Sequence, residues 1–170
     1  KRGTALHTAR GERQAKLLLD KIPKGQHELF IFTLNADGKS ALHTACENAY
    51  VCAAGFLLKH GKRVLFDRQK TTAPQPRTIL GSDITAVTLS HALLTMPDNN
   101  GDTPLMHAIN SGSVSLVKGV FEFMEITAFD AQPLMEHQNI RIQNIFHLAA
   151  RNISGENYAP FIQEFLIEVD

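Results

Sequence analysis

The chain has 170 residues but no tryptophan, only two tyrosines and only two cysteines. The cysteines, Cys46 and Cys52, cannot form the framework of a disulfide-stapled secreted domain. A reducing, cytoplasmic compartment is therefore expected, in the producing cell or in a cell the protein is delivered into. No window approaches eighteen uninterrupted apolar residues, so no membrane-spanning helix is expected. The opening Lys1-Arg2-Gly3-Thr4 has no apolar run behind it and is not a signal peptide. It also lacks an initiator methionine, and the chain reads as a fragment of something longer. Net charge is absent as well: 17 basic and 17 acidic residues argue against general nucleic-acid binding. There is no phosphate-binding glycine loop, no G-x-S-x-G and no H-E-x-x-H, so no enzymatic activity, cofactor or metal is expected. A hydrophobic content of 44% still calls for a folded core.

One short phrase recurs four times with variations. It reads Thr4-Ala5-Leu6-His7-Thr8-Ala9, Ser40-Ala41-Leu42-His43-Thr44-Ala45, Thr103-Pro104-Leu105-Met106-His107-Ala108 and Asn144-Ile145-Phe146-His147-Leu148-Ala149. Recurrence of this kind is the signature of a repeat architecture. The phrase resembles the T-P-L-H-x-A signature of ankyrin repeats. That resemblance implies an all-α solenoid of about four helix-turn-helix units, with long hairpin loops and one inserted arm. The motif starts are separated by 36, 63 and 41 residues, against about 33 in the family. Five segments follow. Residues 1–36 form a shortened first repeat, 37–62 a second, and 63–97 a hairpin arm plus a helix. Residues 98–139 form a third repeat with a long loop, and 140–170 a fourth.

Each position in the phrase has a physical reason. Ser or Thr at a helix start accepts from free backbone N–H groups. Pro at the first helical position sacrifices no hydrogen bond. In the second unit, Asp37-Gly38-Lys39 supplies the turn, Ala41 to Glu47 the first helix and Asn48-Ala49 the break. The second helix runs from Tyr50 to His60 and is closed by Gly61. In the third unit Asn100-Gly101-Asp102 turns, Gly112 separates the helices, and Val117, Val120 and Phe121 recur at helical spacing. The outer copies depart from the pattern. The first has a shortened inter-helix turn before Leu17-Leu18-Leu19, and the fourth is followed by extra residues and a helix from Pro160 to Val169. Ile22 to Asn35 and Glu125 to Asn139 read as extended loops.

The gap between the second and third units holds two strand-like pieces, Arg63 to Phe66 and Thr78 to Leu80. Asp67 to Arg77 between them carries Pro74 and Pro76, and a protruding hairpin arm is expected. Ser82 to Met96 looks helical. It is either the surviving helix of a degenerate repeat or a helix within an irregular insertion. Six basic residues face only Asp67 between Lys59 and Gly81, whereas Gly119 to Asp170 carries eight acidic residues against Arg141 and Arg151. Such polarity can orient a charged partner, or simply mark a solvated surface.

Histidines 7, 43, 107 and 147 lie in the phrase, and one per repeat reads as a structural bond to the backbone of the adjacent unit. His107, shifted one place by Met106, should point toward the concave face. Cys46 follows His43 by three residues, but it has too few companions for zinc and occupies a small-residue core position. The function implied by the resemblance is protein–protein recognition through the concave face and loop tips. Mapped onto this chain, the family's contact positions are Asp37, Lys39, Thr44, Glu47, Asp98, Asn99, Asp102, His107, Asn110, Arg141 and Arg151. Exposure and charge add Arg68, Lys70, Gln75 and Arg77 on the arm. Irregular repeats with long insertions are similar in style to ankyrin proteins that intracellular bacteria deliver into host cells, which implies a host protein as partner. The alternative is a substrate-recognition arm of a larger enzyme whose catalytic domain lies outside these residues.

Overall fold

A computed structural model describes residues 3–70, 92–126 and 132–151. Among these residues every regular element is helical and no strand occurs. A 3-10 turn at Ala5–Thr8 leads into α1 (Glu12–Asp20). Then come a 3-10 turn at Lys24–Gln26, α2 (His27–Phe32), α3 (Ala41–Glu47) and α4 (Val51–Lys70). After a helical turn at residues 92–95 follow α5 (Pro104–Asn110), α6 (Val114–Ile126), α7 (Gln132–Glu136) and α8 (Ile145–Arg151). No described helix is long and apolar enough to cross a membrane.

The elements stack in rows. The 3-10 turn at Ala5–Thr8, α3, α5 and α8 are successive neighbours in an inner row of short helices. Behind them α1, α4 and α6 form an outer row. Capping explains where the inner helices begin. Ser40 Oγ accepts from the amide of His43, and Thr103 Oγ1 accepts from the amide of Met106 with Pro104 behind it. Asn144 Oδ1 does the same for His147. Two of them, α3 and α5, stop where the chain enters the left-handed region. Ala49 has φ 56° and Gly112 φ 77°. At Ala49 the amide of Tyr50 reaches back to Ala45 O at 2.8 Å, a tight reversal that sends the chain into α4.

Small and branched residues fill the space between the rows. Ala45, Cys46, Ala53 and Ala54 are almost fully buried, as is the Leu57-Leu58 pair of α4. In the next layer Leu105, Ile109, Val120 and Met124 play the same part. Complete burial of one such leucine contributes about 1.5–3 kcal/mol, and the small residues let helices approach closely enough to realise it.

Several expectations need correction. Arg63 to Phe66 is helical, because α4 runs unbroken through His60-Gly61 to Lys70. Glycine ends a helix only where the backbone turns left-handed, and Gly61 stays in the helix instead. The opening part of the expected arm, including Arg68 and Lys70, therefore belongs to a helix; Gln75, Arg77 and the piece from Thr78 to Leu80 lie outside the described residues. The expected loops hold helices too, α2 in Ile22 to Asn35 and α7 in Glu125 to Asn139. Buried His27 and Ile31 anchor the first, and Leu134 and Met135 the second. The helix read over Pro160 to Val169 falls outside the described residues.

Candidate functional site

A third row runs along one edge of the stack and is made of turns. The helical segment 92–95, α2 and α7 each stop three residues ahead of an Asn or Asp: Asp98, Asn35 and Asn139. That residue organises the turn after it. Asn35 Oδ1 accepts from the amides of Asp37 and Lys39, both at 2.9 Å. Asp98 Oδ1 accepts from Asn100 (2.8 Å) and Asp102 (3.0 Å), and Asn139 Oδ1 from Arg141 and Gln143 (both 3.0 Å). One side-chain oxygen holding two amides stands in for a missing strand partner. The fourth residue is left-handed in all three turns: Gly38 at φ 73°, Gly101 at 75° and Ile142 at 59°.

The turns are bonded to one another. The amide of Asn99 donates to Asp37 O, and that of Ile140 to Asn100 O, both at 3.0 Å. Asn99 Nδ2 reaches Ala36 O at 3.0 Å, and Asn139 Nδ2 donates to Asp102 Oδ1 at 2.8 Å. Histidines tie the turns to the helices. His7 Nε2 donates to Lys39 O and His43 Nε2 to Met96 O, both at 2.9 Å. These two behave as expected, bonding to the backbone of the following unit. In the third unit Met106 takes the place of that histidine. There His137 bonds backward instead, its Nε2 donating to Gly101 O at 2.7 Å.

His107 corrects the expectation of a concave, outward ring. It is buried, and its Nε2 donates to Asp98 Oδ2 at 3.0 Å. The His43 ring meets it edge-on with centroids 5.8 Å apart. Burial, together with the neighbouring His107, lowers the His43 pKa to about 4, so this imidazole is neutral at neutral pH. Its Nδ1 accepts from the Ser40 amide, which leaves the proton on Nε2 for Met96. Burial alone would raise the Asp98 carboxyl. The hydrogen bonds from His107 and from the amides of Asp102 and Asn100 outweigh it and hold the pKa below the usual value.

Asp98, Asp102 and His107 are also the one described trio whose ligand atoms come close enough to share a metal ion, all within 4.8 Å of one another. All three are already engaged. Asp98 takes two amides and the imidazole, and Asp102 takes the Asn139 amide group. The arrangement does the work of a joint between units. Cys46 is fully buried and its thiol is pushed up to about 12 by burial, which removes thiolate chemistry at neutral pH.

The other expected contact residues divide by environment. Asp37, Asn99 and Arg141 are exposed at turn tips. Glu47, Asn110 and Arg151 are exposed at equivalent places, seven residues after the caps Ser40, Thr103 and Asn144, and they run along the inner row. Lys39 Nζ pairs with Glu47 Oε1 at 2.6 Å, and Arg151 donates to Asn110 Oδ1 at 3.1 Å. Thr44 is half-buried, its hydroxyl donating to Ser40 O at 3.3 Å. Asp98 and His107 belong to the joint and not to the surface. Two exposed residues were not anticipated, Ile140 at 69% and Ile142 at 71% exposure. Superposing the three turns by sequence would have flagged Ile142, which stands where the others have glycine. Nor was the buried His27 anticipated; its Nε2 donates to Ile22 O and its Nδ1 lies 3.0 Å from His60 Nε2. In comparisons with known proteins, no family model and no curated sequence matches the chain.

Proposed function

We propose that the chain is an ankyrin-like solenoid that serves as a protein-recognition module, binding a partner protein through the concave face and the turn tips. The observation that carries this reading is the regular succession of turn, inner helix and outer helix. It brings Glu47, Asn110 and Arg151 into one polar line and projects Asp37, Asn99 and Arg141 from the ladder beside it. These side chains are held by rigid elements whose own hydrogen bonds are already made. Binding would therefore cost little ordering of the scaffold. The line also changes sign along its length, from Glu47 to Arg151, and a partner of matching polarity would be fixed in register.

The test is chemical cross-linking and affinity capture from cell lysate with the intact chain. A second chain carries Glu47→Arg, Asn110→Asp and Arg151→Glu, whose exposed positions leave the core intact. The reading expects a partner retained by the first chain and lost by the second, with unchanged helical circular dichroism. Equal capture by both chains overturns it.

A further inference from the structure

Two of the three turns share a chemical liability that the third lacks. In them the left-handed glycine follows an acid or an amide: Asp37-Gly38 and Asn100-Gly101. The third turn has Arg141-Ile142 in the same places. A Cβ on Gly38 would lie 2.9 Å from the Asn99 amide nitrogen, and one on Gly101 would lie 3.0 Å from Asn139 Cα. The turn that follows therefore dictates glycine at both positions. Asn-Gly and Asp-Gly are also the pairs most prone to closing a succinimide ring. With no Cβ in the way, the glycine nitrogen reaches the preceding side-chain carbonyl carbon.

The folded ladder keeps the reacting nitrogen occupied. The Gly101 amide donates to Asp98 O at 2.9 Å, and the Gly38 amide to Asn35 O at 3.2 Å. The residue before each glycine is held at both its backbone groups. Asn100 N donates to Asp98 Oδ1 at 2.8 Å, and its carbonyl accepts from Ile140 N at 3.0 Å. Asp37 N donates to Asn35 Oδ1 at 2.9 Å, and its carbonyl accepts from Asn99 N at 3.0 Å. For attack, the glycine nitrogen must leave its acceptor and the backbone between the two residues must rotate. A turn has to open first. Both Asp37 and Asn100 are exposed, so the restraint on the reaction lies in the backbone and not in burial.

We infer that Asn100 is a deamidation site gated by its own turn, and that its isoaspartyl product unlatches the Asn139 turn from the Asp98 turn. In the opened turn the Gly101 nitrogen attacks Asn100 Cγ. The Gly101 N–Cγ bond forms and the Cγ–Nδ2 bond breaks. Nδ2 leaves as ammonia, taking up a proton in place of the one the Gly101 nitrogen gives to solvent. Water then opens the ring, and no electrons are exchanged. Hydrolysis at Cγ gives aspartate, with the backbone unchanged. Hydrolysis at the α-carbonyl gives isoaspartate, in which the chain runs through Cγ. The carbonyl that accepted from Ile140 N is then a free carboxylate, and the path to Gly101 is one atom longer. Both the ladder bond and the fit of Gly101 beside Asn139 are lost. Asp37-Gly38 follows the same course more slowly, because a carboxyl group is attacked less readily than a carboxamide. The inference concerns the ladder and does not rest on recognition by the concave face.

The experiment incubates the whole chain at mildly alkaline pH, folded and in guanidinium chloride. Peptide mass mapping follows Asn100, and enzymatic carboxyl methylation reads isoaspartate. Deamidation of Asn100 is expected to be at least about tenfold slower in the folded chain. Asn139→Ala removes the side chain that organises the neighbouring turn and reaches Asp102 Oδ1, so it should speed the folded reaction and not the denatured one. Asn100→Gln should abolish isoaspartate at this position, because glutamine must close a larger ring. The isoaspartyl chain, separated by ion exchange, should melt below the native chain. Its Ile140 amide should exchange at least about tenfold faster. Asn100→Asp carries the same charge on an unaltered backbone and should keep that amide protected. An Asn100 that survives intact in denaturant overturns the site. Equal rates in folded and denatured chains overturn the gating, as does a folded rate that Asn139→Ala leaves unchanged. An Ile140 amide as protected in the isoaspartyl chain as in the native one overturns the unlatching.

Discussion

The Asp98 and Asn139 turns have the same hydrogen-bond plan and opposite surroundings. Both use one side-chain oxygen to hold two amides, and both place their fourth residue left-handed. The first lies between units, with a buried carboxylate, an imidazole and a glycine against which the next turn packs. The second is the last of the described turns, with an amide instead of an acid and two exposed isoleucines. Local chemistry builds the turn, whereas neighbours decide what its remaining positions must be. An interior turn must take glycine at the fourth place, because the next turn fills the space beside it; the Asn139 turn carries isoleucine there, 71% exposed.

Removing the organising side chain should separate the turns most sharply. Asp98→Ala leaves two amides and a buried imidazole without their acceptor, and is expected to cost about 3 kcal/mol in urea denaturation. Asp98→Asn restores the plan of the other two turns and should recover part of that loss. Asn139→Ala is expected to cost less than half as much, because it leaves no buried imidazole without its acceptor.

Acid should distinguish the same two turns. His43 is neutral when folded, with a pKa of about 4 against 6.5 unfolded, so the unfolded chain binds the extra proton first. The contribution of its burial is complete above pH 6.5, declines as pH falls through that value and is gone below pH 4. Between pH 7 and pH 5 the loss is about 2 kcal/mol, and Asp98 adds to it only below the ordinary carboxylate range. His43→Met, which copies the third unit's Met106, should flatten this dependence. Hydrogen exchange at pH 5 should show the amides of Asn100 and Asp102 losing protection before those of Arg141 and Gln143.

Exchanging the left-handed residues should give opposite signs of smaller size. Gly101→Ala forces a Cβ against Asn139 and is expected to lower stability by about 1–2 kcal/mol. Ile142→Gly, which relieves a left-handed branched residue that is mostly exposed, should raise it by about 1 kcal/mol. Thermal melts of the two variants beside the native chain would check both. The smallest effect belongs to the surface. Breaking the Lys39–Glu47 pair by Lys39→Met should change stability by less than about 1 kcal/mol and should shrink further at high salt.

Much of the repeat was legible because its signals are short-range. The caps Ser40 and Thr103, the turn glycines and the reversals at Ala49 and Gly112 act through atoms a few residues apart. The bonds of His7 and His43 were legible for a related reason, since one residue per repeat in a fixed place points to a contact between repeats, whereas exposed His147 bonds only Asn144 of its own helix start. His107 was misread because its partner depends on a substitution in another segment, an acid at Asp98 where the sister turns carry asparagine. The extent of α4 was misread because Gly61 next to a histidine looks like a helix end, although nothing local compels the backbone to turn there. The helices within the expected loops were missed because α2 and α7 are too short to show a clear apolar period, and their burial comes from neighbouring units.

The sequence by itself determined that the chain is helical, where its turns and caps fall, and that these recur. Each of those outcomes is settled by backbone sterics and hydrogen bonds within one turn of chain. Only the tertiary structure decided that Asp98 and His107 close a joint beneath His43, and that the turn that follows fills the space beside Gly38 and Gly101. Those outcomes rest on which distant residues share a few cubic ångströms, and stacking alone brings them together.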